Sequence, residues 1–177
     1  MRKVIMNLVA VLAAVIAAAS ITAPANAGVG SEPSPLVAPP GAARMTGDGV
    51  GVQAWDERFQ NFATARILDD SFQYGLRAIP ENYGNLHQLW ALTAVTTDRV
   101  EIKNHATGRC LDDSFEYGLR PYGCNGQPFQ RWTIWYWPDD PSKGWVLQNE
   151  ATGRAVDDSF EYGLRAYGIN YLAWQQW

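Results

Sequence analysis

One stretch of nine residues governs what this chain can fold into. DDSFEYGLR runs from Asp112 to Arg120, recurs unchanged from Asp157 to Arg165, and returns as DDSFQYGLR from Asp69 to Arg77. The likeness extends upstream, through QNFATARILDD from Gln60, KNHATGRCLDD from Lys103 and QNEATGRAVDD from Gln148. Downstream, each copy closes on a Gln two residues before a Trp: Gln88 and Trp90, Gln130 and Trp132, Gln175 and Trp177. The first Asp of each pair stands at 69, 112 and 157, a spacing of 43 and then 45 residues. Three units at such a period imply a closed or stacked repeat architecture, in which neighbouring units bury a shared core.

Helical periodicity is weak throughout. Short runs such as RVEI, WTIWYW and GWVLQN alternate with Gly, Asn, Asp and Pro clusters, the pattern of short strands joined by tight turns. Propellers use four or more blades. Three all-β units of this length therefore predict a β-trefoil of three four-stranded repeats, at about 51–94, 95–141 and 142–177.

The closing Q-x-W resembles the hallmark of ricin-type trefoil lectins. The second unit, IKNHATGRCLDDSFEYGLRPYGCNGQPFQRW, is similar to a segment of the actinohivin-like three-segment lectins. The resemblance spans residues 51–177 and implies a small secreted trefoil with one sugar-binding segment per repeat. It also implies structural roles for the Q-x-W residues, with each Trp packed in the core and each Gln tying strands together.

The start of the chain agrees with secretion. Arg2 and Lys3 precede an apolar run from Leu8 to Ala19, and Ala25-Asn26-Ala27 follows. This is the layout of a signal peptide with cleavage after Ala27. The run is short for a bilayer span of about 20 residues. Residues 28–50 are rich in Pro, Gly, Ala and Ser and read as a flexible or partly extended lead-in. Removing residues 1–27 takes away two of 14 basic residues and none of 18 acidic ones, leaving a net charge of −6. Nucleic acids and anionic membrane surfaces, which need positive surface, are disfavoured as partners. Cys110 and Cys124 are the only cysteines. In an oxidising compartment an even count reads as a disulfide.

A shallow sugar site needs a carboxylate for paired hydroxyls, further polar groups for orientation, and a flat face for the sugar's C–H side. Under the resemblance, the carboxylates are Asp69, Asp112 and Asp157, and the amides are Asn82, Asn125 and Asn170. Eight and ten residues after each Asp come Arg77 and Ile79, Arg120 and Tyr122, Arg165 and Tyr167. Alternation along a strand puts each such pair on one face. The actinohivin-like segment has Tyr and Leu there. The Arg leaves the sugar open between mannose-type and acidic, since a guanidinium donates a forked pair of hydrogen bonds. Ile79, Pro80 and one inserted residue make the first copy the weakest.

Plainer readings stand beside these. Asp112 and Arg120 can close the loop on each other. Asp70, Asp113 and Asp158 suit turn formation, and Tyr117 suits hairpin packing. Asp112, Asp113 and Glu116 crowd three carboxylates together but lack calcium-loop spacing. His87 and His105 occupy non-equivalent positions, and no catalytic or zinc motif is present. The expectation is therefore a monomeric, multivalent lectin with up to three glycan sites, without catalysis, cofactor, metal or membrane insertion. Two rivals remain: a protein-binding trefoil such as a protease inhibitor, using Trp135 to Lys143, and a polysaccharide-acting enzyme.

Overall fold

A computed structural model describes residues 32–35, 43–44, 53–140 and 142–177. The predicted signal peptide lies outside the described residues. Thirteen strands and three short 3-10 turns make up the described fold. The first repeat holds β3 (Gln53–Glu57), β4 (Ile67–Ser71), β5 (Gly75–Ile79) and β6 (Trp90–Ala94). The second holds β7 (Val100–Asn104), β8 (Arg109–Ser114), β9 (Gly118–Gly123) and β10 (Arg131–Tyr136). The third holds β11 (Val146–Asn149), β12 (Arg154–Ser159) and β13 (Gly163–Gly168). Its fourth strand is reduced to Trp177, which exchanges backbone hydrogen bonds of 2.8 and 2.9 Å with Trp145.

The outer strands of the repeats pair antiparallel into a barrel: β3 with β6, β6 with β7, β7 with β10, and β10 with β11. The inner pairs β4–β5, β8–β9 and β12–β13 are hairpins with identical register, Asp69 facing Arg77, Asp112 facing Arg120 and Asp157 facing Arg165. This is the expected threefold β-trefoil. Each hairpin turn is written by its own residues. Ser71, Ser114 and Ser159 accept, through Oγ, the N–H of Tyr74, Tyr117 and Tyr162 at 3.0 Å. Gly75, Gly118 and Gly163 then take φ near +70°, which a side chain would disfavour.

The Q-x-W residues hold the repeats together. Trp90 and Trp132 are fully buried and Trp177 nearly so. Their indole N–H groups donate to the carbonyls of Leu68, Leu111 and Val156 at 2.9, 3.0 and 3.0 Å. Burying an aromatic side chain of this size contributes on the order of 4–6 kcal/mol before entropy is subtracted. Gln88, Gln130 and Gln175 are also fully buried. Each Nε2 donates to a carbonyl after the hairpin (Pro80, Gly123, Gly168). Each Oε1 accepts the N–H of Asn82, Asn125 or Asn170. Leu68, Leu92, Ile102, Leu111, Ile134 and Leu147 fill the space between.

Two short pieces of the lead-in are extended. β1 (Ser34–Pro35) pairs with Tyr136 and Trp135 of β10. β2 (Ala43–Arg44) pairs with Ala54 and Gln53 of β3. Between β10 and β7 the ladder covers only Arg131 and Trp132, so the far end of β10 has backbone groups to satisfy on that side. Proline is tolerated at such an edge because it owes the ladder no donor.

The protein-binding rival rests on the Trp135 to Lys143 segment. Trp137 is 5% exposed and packs edge-on against Tyr171, with centroids 6.0 Å apart. Trp135 donates its indole N–H to Gln148 Oε1 at 2.8 Å. These aromatics build a second small core with Val146 and Ala155. They do not present the exposed anchors that a protein-binding loop requires.

Candidate functional site

Two acidic rows run along each hairpin, and they do different work. The second Asp of each pair is fully buried and is held by the next repeat. Arg109 grips Asp70, with its Nε at 3.1 Å. Arg154 grips Asp113 at 3.0 and 2.5 Å, and Arg66 grips Asp158 at 2.9 and 2.5 Å. Thr107, Thr152 and Thr64 add hydroxyl donors to the same carboxylates. The sequence suggested a local turn-former here. The structure corrects this: the carboxylates bond across repeats, from first to second, second to third and third back to first. Asn61, Asn104 and Asn149 reinforce the seams, donating to the carbonyls of Trp174, His87 and Phe129.

The first Asp of each pair faces the other way. Arg77, Arg120 and Arg165 donate through Nε alone to Oδ1 of Asp69, Asp112 and Asp157, at 2.8, 3.0 and 3.0 Å. The loop-closing pair therefore exists in all three copies. Neighbouring carboxylates such as Asp112 and Asp113 are thus locked to different arginines on opposite faces, and the acidic crowd in the sequence does not converge into one calcium cage.

In the second repeat, Arg120 lies between the rings of Tyr117 and Tyr122, at 4.3 and 4.5 Å from their centroids. In the third, Arg165 lies between Tyr162 and Tyr167, both at 4.4 Å. Tyr117 is 59% exposed, so it stacks on Arg120 instead of packing the hairpin. The phenols of Tyr117 and Tyr162 donate to Glu116 and Glu161, which raises both above the ordinary tyrosine range.

Beside each sandwich is an open cleft. The third-repeat cleft, about 310 Å³, joins Asp157, Arg165, Tyr167 and Asn170 with Trp174 and Phe160. The second, about 340 Å³, joins Asp112, Arg120 and Asn125 with Phe115 and Phe129. Tyr122 does not line it; its ring lies against Arg120. Sequence reasoning missed Phe129 and Trp174. Their signal was the residue just before each closing Gln, aromatic in both copies.

The first copy is different. Asp69 is fully buried, against 2% and 3% exposure for Asp112 and Asp157, and its Oδ2 is sealed from solvent without a partner. Arg77 keeps one ring, Tyr74, at 4.4 Å. Ile79 faces Ile67 across the hairpin and supplies no second ring. Asn82 is exposed on the inserted loop, where Asn85 accepts the N–H of His87. The ring of His87 turns inward to the Asp70 carbonyl at 2.6 Å.

Cys110 and Cys124 are disulfide-bonded, with Cα atoms 5.0 Å apart. The bridge ties β8 to the end of β9 behind the second cleft. Glu101 lies next to it, but neither sulfur is a free thiolate.

Residues 86–161 match the family model described as ricin-type beta-trefoil lectin domain-like. No curated protein matches the chain. Among solved structures it is similar to ThreeFoil, a designed 3-fold symmetric protein, at 19% identity and a TM-score of 0.58, covering 69% of this chain and 95% of that one. It is similar to SeviL bound to asialo-GM1 saccharide, at 14% identity and a TM-score of 0.57, covering 69% and 93%. It also resembles 1,3Gal43A, an exo-beta-1,3-galactanase from Clostridium thermocellum, at 22% identity and a TM-score of 0.57. There it covers 68% of this chain but only 29% of the galactanase. At these identities the likeness is one of fold: the chain is a β-trefoil, and residues 86–161 within it resemble the ricin-type lectin-like family model.

Proposed function

We propose that this protein is a secreted, multivalent lectin that binds glycans in the clefts of its second and third repeats, without catalysis. One observation supports this above the rest. After every copied residue with a scaffold role is set aside, the Asp–Arg–Tyr group remains, beside an open cleft with a further aromatic wall. A carboxylate oxygen, an oriented guanidinium and apolar ring faces are what a shallow sugar site uses. The clefts lie near the lower end of the roughly 300–1,000 Å³ range of small-molecule sites, which suits one or two sugar units.

Two similar sites on one rigid barrel favour surfaces carrying many glycans. A single shallow site in the millimolar range corresponds to about −4 kcal/mol. Linking sites raises apparent affinity by about 10²–10⁴. The first copy, with Asp69 sealed and one ring missing, contributes least. Monomeric behaviour and export to the extracellular space belong to the same proposal, as does the absence of cofactor, metal and membrane insertion.

The test is a glycan array with purified residues 28–177 and an Asp112→Asn, Asp157→Asn double variant. Binding that the double variant loses supports the lectin. A folded chain that binds no glycan rejects it.

A further inference from the structure

The protein carries two kinds of repeated arginine, and the contrast points to a ligand class. Arg66, Arg109 and Arg154 engage a carboxylate through both Nε and Nη2, and Nη2 also reaches the carbonyl of Ser159, Ser71 or Ser114. Arg120 and Arg165 engage theirs through Nε only. Among the described residues, neither of their Nη atoms has a hydrogen-bond partner. Their side chains keep 29% and 33% exposure.

Two tyrosine rings lie 4.3–4.5 Å from the central carbon of each of these guanidinium groups, and Nε is pinned by Asp. The Nη1–Nη2 pair is left for a ligand, on side chains that stay partly exposed. Such a fork matches two coplanar oxygens and is only half used by a single hydroxyl. Because the stack already restricts the side chain, less ordering cost remains when a ligand arrives. Alongside, Oδ2 of Asp112 and Asp157 has no hydrogen-bond partner among the described residues, on side chains that keep only 3% and 4% exposure.

We propose that the second and third clefts select sugars bearing a carboxylate, with Arg120 and Arg165 as the selecting groups. The inference rests on the lectin reading and goes beyond it by naming the ligand class. The acidic groups Glu116 and Glu161 line the same clefts, and the chain is net negative. Selection therefore comes from the fork at contact and not from the protein's long-range field.

The experiment measures binding to matched glycan pairs that differ only in the carboxylate: uronic acid against neutral hexose, sialylated against desialylated chains, and uronic acid against its methyl ester. Sulfated counterparts form a separate arm. An acidic member should bind at least tenfold better than its neutral partner, and esterification should remove the gain. Arg120→Lys with Arg165→Lys keeps the charge but loses the fork, and should also remove it. Glu116→Gln with Glu161→Gln should strengthen acidic binding severalfold.

Asp112- and Asp157-dependent binding that ignores the carboxylate would overturn this assignment and leave the lectin standing. A preference for sulfate alone would overturn it as well. No binding to any glycan would take down both. The ester comparison needs no variant, so a folding defect in the Lys variant cannot mask the result.

Discussion

Arg154 and Asp113 belong to different repeats, yet two nitrogens of one meet two oxygens of the other at 3.0 and 2.5 Å. The Asp side chain is fully buried and the Arg side chain is 24% exposed. Arg154→Ala would strand a buried carboxylate. It should cost about 3 kcal/mol, the low end for breaking a buried pair, because part of Arg154 keeps water. Urea denaturation of variant and parent checks this. Arg131→Ala, which breaks a looser pair with Glu150 at 3.6 Å, should stay within about 0.5 kcal/mol.

Ala65 occupies a position that glycine fills in the other copies. Its φ is +56°, against +67° at Gly108 and +68° at Gly153. All three donate the same backbone hydrogen bond, to Asn61, Asn104 and Asn149. Ala65→Gly relieves the left-handed penalty and should raise stability by about 1 kcal/mol. A higher denaturation midpoint with an unchanged slope would show it.

Reducing the Cys110–Cys124 bridge opens a loop of 15 residues. In the chain-entropy model such a loop is worth about 3 kcal/mol. The reduced protein should lose about that much on denaturation while its third-repeat cleft keeps its glycan response.

Tyr167→Ala removes one ring from the Arg165 stack. In a chain whose second cleft is disabled by Asp112→Asn, titration should show glycan binding weakened about tenfold, the equivalent of about 1.4 kcal/mol. The far-UV spectrum should not change, since Tyr167 is half exposed.

Trp137→Ala separates the lectin reading from its protein-binding rival. A protein-binding loop would lose its partner and keep its fold. A core residue at 5% exposure should instead cost about 3–5 kcal/mol and leave glycan binding per folded molecule intact. Thermal melting and the array together distinguish the two.

The trefoil was legible because its markers are local. Gln130 and Trp132 stand two residues apart, and the same pair returns at each repeat. The disulfide followed from two cysteines in one unit. The seams were not legible, because Arg154 meets Asp113 forty-one residues away, and a list of copies says nothing about which copy touches which. Repeated polar identity looked like repeated recognition. Much of it is scaffold: Ser114 caps a turn, Asn149 ties a seam, and Thr152 joins Arg154 on Asp113. At the site, the spacing placed Asp112, Arg120 and Tyr122 on one hairpin face, as found. What it could not show is that Tyr122 covers the guanidinium, because stacking depends on how two side chains lean across the pleat. Pairing of the lead-in with β10 and β3 was equally hidden, since Pro35 and Ala43 carry no strand pattern of their own.

The Asp–Arg seams also set an arithmetic of copies. Every repeat extends one carboxylate forward and one arginine backward. An open row, of whatever length, leaves an orphan of each kind at its two ends. Only a closed circuit leaves none, and here Arg66 takes Asp158 to complete it. A lone repeat is therefore not a smaller version of this protein but a fragment carrying two unpaid charges, and the three must fold, and fail, together.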